Sequence, residues 1–104
     1  MLEYIQKMYR EDISLSDVAS IACLSPEAFC RYFKKYTRNT FSTFVAELRI
    51  GFACQLILEN KFTISQVCNQ SGFNNITYFN RKFKEINQKT PNEYQRQFAF
   101  IRGN

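Results

Sequence analysis

Ser71-Gly72-Phe73-Asn74-Asn75-Ile76-Thr77-Tyr78-Phe79-Asn80-Arg81-Lys82-Phe83-Lys84 decides the fold, because the chain has already written much of it once. Phe79-Asn80-Arg81-Lys82-Phe83-Lys84-Glu85 answers to Phe29-Cys30-Arg31-Tyr32-Phe33-Lys34-Lys35, and Ile64-Ser65-Gln66-Val67-Cys68 answers to Leu15-Ser16-Asp17-Val18-Ala19. The offset is 49 residues as far as the middle turn and 50 from Phe29 onward, so one residue is inserted in the second copy near that turn. A hydrophobic pattern at fixed spacing, with a basic residue at a fixed place inside it, implies two copies of one small helical unit.

Working outward, each copy reads as a short helix, a tight turn and a longer helix. In the first, Ser16 is the expected N-cap, Leu15 the staple, and Val18, Ala19 and Ala22 the inner face. Ser25-Pro26-Glu27 then starts a helix with a capping hydroxyl, Pro at the first position and an acid in the first turn. That helix is expected to turn Phe29, Phe33, Tyr32 and Tyr36 inward, and Glu27, Cys30, Arg31 and Lys34 outward. In the second copy Ser65 is the expected cap, Gly72-Phe73 the turn, and Asn74 or Asn75 the cap of a helix burying Phe79, Phe83 and Ile86.

Ahead of the first copy, Leu2, Ile5 and Met8/Tyr9 make the stripe of an opening helix that Glu11-Asp12 ends. Between the copies, Phe44, Val45, Leu48, Phe52, Leu56 and Ile57 mark one long helix from about Phe41 to Glu59, closed by Asn60-Lys61. Gly51 inside it costs about 1 kcal/mol against Ala, and close packing is the expected reason. Thr90-Pro91 begins a last helix anchored by Tyr94 and Phe98, and Phe100 to Asn104 is expected to fray. The architecture is therefore all-α: two helix-turn-helix subdomains (1–40 and 61–104) joined by a long central helix (41–60).

Bulk composition narrows the partner. The 104 residues are 45% hydrophobic and 16% aromatic, with eleven Phe and no Trp, too apolar for a disordered segment. No uninterrupted apolar run approaches the roughly 20 residues of a membrane span, and charges break up the N-terminus where a secretory leader would stand. No membrane partner and a cytoplasmic location are expected. Net charge is +5, and residues 62–104 hold six bases against two acids. Arg31, Lys34, Lys35 and Arg38 cluster at the place in their copy where Arg81, Lys82, Lys84 and Lys89 cluster in theirs. Two basic clusters in register favour a polyanionic partner.

The four cysteines form no CxxC pair and His is absent, so neither a metal nor a cofactor is expected. No carboxylate pair, phosphate loop or nucleophile with a base is evident, and an enzyme is rejected. Phe29/Phe33 and Phe79/Phe83, at i, i+4 spacing, are core packing rather than base-stacking platforms.

A short capped helix crossing a longer one with a basic outer face is a helix-turn-helix, whose second helix enters a major groove about 12 Å wide. The reading helices are about 26–37 and 75–87. Glu27, Cys30, Arg31 and Lys34 hold the reading positions of the first; Asn75, Ile76, Thr77, Asn80, Arg81 and Lys84 hold those of the second. Arg binds guanine O6 and N7, Asn binds adenine, and Ile or the Thr methyl meets the thymine methyl, while Lys meets phosphate. A central helix of roughly 28 Å is of the order of one DNA turn, about 34 Å, so a monomer is expected to read an asymmetric site.

These features resemble the DNA-binding domain of the AraC/XylS family of bacterial transcription regulators, over about residues 1–98. Ser71-Gly72-Phe73-Asn74-Asn75, then Tyr78-Phe79-Asn80-Arg81-Lys82-Phe83-Lys84, then Thr90-Pro91-Asn92-Glu93-Tyr94, is similar to the family's second-motif signature. Leu24-Ser25-Pro26 with Phe29, Arg31, Phe33, Lys34 and Lys35 resembles the first motif. The resemblance implies seven helices, two helix-turn-helix units in successive major grooves, promoter binding and contact with RNA polymerase. It implies DNA contact at the reading positions named above. Arg38 and Gln88 stand where the family commonly has Gly, and in a left-handed conformation each costs about 1 kcal/mol; Cys23 stands where Gly72 stands in the second unit. Family members commonly carry an N-terminal sensing or receiver domain, so an excised C-terminal domain is the favoured expectation over a small stand-alone regulator. The rival reading is a helical-repeat module binding an acidic protein partner, which a period of 49–50 with only two copies fits poorly.

Overall fold

A computed structural model describes residues 2–11 and 13–101, with side chains over 3–11 and 13–98. Its seven helices are α1 (Leu2–Met8), α2 (Leu15–Ile21), α3 (Pro26–Thr37), α4 (Phe41–Glu59), α5 (Ile64–Gln70), α6 (Ile76–Asn87) and α7 (Pro91–Ile101), and no strand occurs among the described residues. The expected stripe side chain of Leu2, Asp12 at the end of the opening helix and the tail residues 102–104 lie outside what is described. Phe100 and Ile101, expected to fray, belong to α7.

The chain divides into two units, the border falling between Leu48 and Arg49 inside α4. In the first, Ile5, Val18, Ala19, Phe29, Phe33 and Val45 form the buried core. In the second, Ile50, Ala53, Leu56, Ile57, Val67, Cys68, Phe73, Phe79 and Phe83 do so. Each fully buried Phe contributes roughly 1.5–3 kcal/mol relative to exposure. The rings also meet edge-on: Phe33 with Phe44 at 5.2 Å and 83°, and Phe83 with Tyr94 at 5.4 Å and 84°.

Those last two contacts sit one repeat apart, and others do as well. Thr40 Oγ1 accepts from the Thr43 N–H as Thr90 Oγ1 accepts from the Glu93 N–H. Asn39 donates to Glu47 as Lys89 donates to Gln97. The repeat thus runs past the helix-turn-helix: the first half of α4 does in its unit what α7 does in the other. From Arg49 on, α4 instead supplies core to the second unit. This double service explains why α4, at 19 residues and a mean hydropathy of 1.4, is long and apolar enough to cross a membrane by length and composition.

Both turns before the reading helices close in the same way. Leu24 N–H donates to Ala19 C=O (2.9 Å) and Cys23 N–H to Ser20 C=O (3.0 Å); Phe73 donates to Cys68 (3.1 Å) and Gly72 to Asn69 (3.2 Å). This is the Schellman closure, which needs a left-handed residue at the turn. Gly72 supplies it at φ 103° and Cys23 at φ 61°, as expected of a residue replacing glycine. Arg38 (φ 60°) and Gln88 (φ 61°) end α3 and α6 in the same region, and Asn60 (φ 57°) ends α4.

Three local expectations are corrected. The caps of α2 and α5 are Ser14 and Thr63, not Ser16 and Ser65; each accepts from the N–H three residues on, and Gln66 completes a capping box with Thr63. Tyr32 and Tyr36 are 45% and 67% exposed rather than buried, their rings tilted against one another with centroids 4.6 Å apart. Gly51 is exposed, and a Cβ placed on it would meet nothing within 4 Å, so close packing does not explain it. The extra residue of the second copy does fall near the turn: it is Asn74, since Leu24/Phe73 are 49 apart but the caps Ser25/Asn75 are 50 apart.

Candidate nucleic-acid interface

The reading helices begin at strong caps. Ser25 Oγ accepts from the Ala28 N–H at 3.2 Å, with Pro26 next in line; Asn75 Oδ1 accepts from the Tyr78 N–H at 2.9 Å. Each is 12 residues long, and each anchors itself by one Phe pair: Phe29/Phe33 and Phe79/Phe83 are buried, with ring centroids 5.6 and 5.8 Å apart. Burying positions 29/33 and 79/83 leaves the opposite stripe in solvent.

That stripe holds the expected residues. On α3, Glu27, Cys30, Arg31 and Lys34 are all exposed, and Lys35 and Arg38 extend the cationic surface beyond them. On α6, Ile76, Thr77, Asn80, Arg81 and Lys84 are exposed, Ile76 by 42% despite its apolar side chain. The two stripes are in register at an offset of 50: Glu27 with Thr77, Cys30 with Asn80, Arg31 with Arg81, Lys34 with Lys84.

Asn75 differs from the other nine. It is exposed, but its side-chain oxygen already accepts from the Tyr78 N–H, so one of that oxygen's two lone pairs is taken by the helix start. Lys82 is set apart too: it lies 3.6 Å from Glu85 and 5.7 Å over the Tyr78 ring. Tyr78 is the residue that the sequence pattern undervalued. Its half-buried ring packs at 5.9 Å from Phe73 and carries the Arg81 guanidinium at 5.3 Å, which restrains Arg81 before any partner arrives. The i, i+3 spacing of Tyr78 and Arg81 was the available signal.

A second polar cluster, remote in character from this surface, ties α7 to its unit. Asn87 donates to Cys54 Sγ at 3.5 Å. Burial pushes the Tyr94 phenol up to about 12, with Cys54 adding to the shift, and burial raises the Cys54 thiol as well. Among the described residues no group of three or more His, Cys, Asp or Glu is placed to hold a metal.

A capped crossing helix, a Schellman turn and a reading helix with a cationic outer stripe, present twice, define a double helix-turn-helix domain. A family model described as a helix-turn-helix domain matches residues 18–97. The regulatory protein PocR of Salmonella typhimurium is 34% identical over 96 residues, 92% of this chain but 32% of that protein. A transcriptional regulator of Chromobacterium violaceum, with an AraC-type DNA-binding domain, superposes with a TM-score of 0.83 at 26% identity, over 94% of this chain and 88% of that one. The DNA-binding domain of AdpA, solved in complex with a target DNA, shares the fold at a TM-score of 0.91 and 17% identity, over 99% and 93% of the two chains. The chain belongs to the AraC-type helix-turn-helix family. It spans about a third of the length of the curated relatives it matches.

Proposed function

We propose that this chain is a sequence-specific, double-stranded DNA-binding domain of a bacterial transcription regulator. In this reading α3 and α6 enter successive major grooves of an asymmetric promoter site. The carrying observation is the duplicated stripe: Arg31/Lys34 and Arg81/Lys84 stand exposed at equivalent places, opposite equivalent buried Phe pairs. Arg31, Asn80 and Arg81 read base edges, Ile76 and Thr77 meet thymine methyls, and Lys34 and Lys84 hold phosphates. Cys30 and Asn75 sit on the interface as small and half-committed groups. Family membership and the span relative to full-length relatives support an attached N-terminal sensing or receiver domain, contact with RNA polymerase and a cytoplasmic location.

Fluorescence anisotropy on a duplex, over a salt series, tests this. Neutralising six phosphates gives a log–log slope near −5, whereas a flat response favours an acidic protein partner instead. Arg81→Ala should cost roughly 1–3 kcal/mol and relax preference at one base pair, while Lys84→Ala should weaken all sequences alike. Unchanged affinity and specificity in both variants would remove α6 from the interface.

A further inference from the structure

Glu27 is the anomaly of the surface just described. It is an exposed carboxylate on the outer stripe of α3, and among the described residues no hydrogen bond or ion pair engages it. Arg31 lies one turn on, at the i, i+4 spacing where acid and base commonly pair, yet the two do not. Nor does Glu27 close its own helix. The Ser25 cap is satisfied at Ala28, whereas the first-turn acid of α7, Glu93, accepts from the Thr90 N–H at 2.8 Å in a reciprocal cap. The equivalent position on α6 is Thr77, a neutral residue, so the repeat does not demand a charge there.

A free carboxylate facing a duplex is repelled by phosphates and by most of the groove floor. Guanine presents two acceptors, thymine one acceptor and a methyl, and adenine an acceptor beside its amine. Cytosine alone presents an amine donor, N4–H2, with no acceptor of its own. Resting on the DNA-binding reading above, we infer that Glu27 is a specificity-determining residue of the first unit, beside Arg31. It selects cytosine by accepting from N4–H2 and penalises the other three bases by unpaired negative charge. Arg31, about 6 Å further along α3 at 1.5 Å per residue, then addresses a guanine within roughly two base pairs. The first unit therefore reads a C/G-containing element, while Ile76, Thr77, Asn80 and Arg81 give the second a mixed one.

Selection of duplexes from a random pool, with this chain, Glu27→Ala and Glu27→Gln, tests the inference; thermal melts of all three monitor folding. The wild-type chain should enrich cytosine at one position by about tenfold over other bases, the yield of a 1–3 kcal/mol base contact. Glu27→Gln should move that enrichment to adenine, whose N6 and N7 suit an amide. Glu27→Ala should lose it while binding unselected duplex more tightly, because a repelling charge is gone. If all three proteins select the same bases and only the melting temperature of Glu27→Ala falls, the acid serves the helix end and the inference is overturned. Salt-steep, selective binding by the wild-type chain in that case leaves the DNA-binding reading intact; absence of such binding overturns both.

Discussion

Asn75 offers the sharpest separation of a residue that builds the reading helix from one that reads. Its backbone is extended (φ −139°, ψ 113°), and its oxygen takes the Tyr78 N–H at 2.9 Å, one of the orphan donors at the start of α6. Asn75→Ala strands that donor and should cost about 1 kcal/mol, the usual loss for an N-cap. In a domain of this size that lowers the melting temperature by roughly 4 °C or more. Asn75→Ser, which supplies another capping oxygen, should recover nearly all of it. On DNA, Asn75→Ala should weaken preferred and unselected duplexes by similar factors, through fraying of Ile76 and Thr77, and keep the base preference. Circular dichroism melts and competition binding on a duplex panel measure the two effects. A variant with wild-type stability but no preference at one A·T pair would refute the capping account and make Asn75 a reader.

Three further outcomes follow from the packing. Gly51→Ala should stabilise the domain by up to about 1 kcal/mol in urea melts, since the new methyl meets no neighbour and the helix loses a flexible residue; destabilisation would mean α4 is covered there. Cys23→Gly should raise the melting temperature, because glycine takes φ 61° without the strain of about 1–2 kcal/mol, less what its freer unfolded chain costs, while Gly72→Ala should lower it. Glu93 accepts from the Thr90 N–H, and this bond, with lesser help from Lys84 and Arg96, holds its carboxyl below the usual value. A depressed acid stabilises above its unfolded pKa and loses that contribution as pH falls through the folded one. Melts of Glu93→Ala should therefore trail wild type at neutral pH and converge with it in acid; a constant gap would assign the effect to packing.

Much of this was legible because the repeat is periodic where physics is strict. Phe29, Phe33, Phe79 and Phe83 had to share faces at 3.6 residues per turn, and the exposed stripes followed. The caps of α2 and α5 were misplaced because Ser14-Leu15-Ser16 and Thr63-Ile64-Ser65 each offer two hydroxyls. The residue three places on, Asp17 or Gln66, favours the earlier one, a signal present in the sequence. Tyr32 and Tyr36 followed an apolar pattern, but tyrosine tolerates solvent and the two rings pack against each other, tilted, outside the core. Gly51 was read from a rule about close approach that only coordinates can test. Asn75 was legible as a cap and as a reader, and the structure shows it in the capping role.

The border between the units runs through a helix, not a linker. A protease has no loop to cut there, and a fragment ending at Leu48 would terminate in severed carbonyls, with the helix's next turn torn away. The remainder, starting at Arg49, would lose Thr40 and the opening turns that nucleate α4. Neither piece should fold when expressed separately, and circular dichroism of the two fragments would check it.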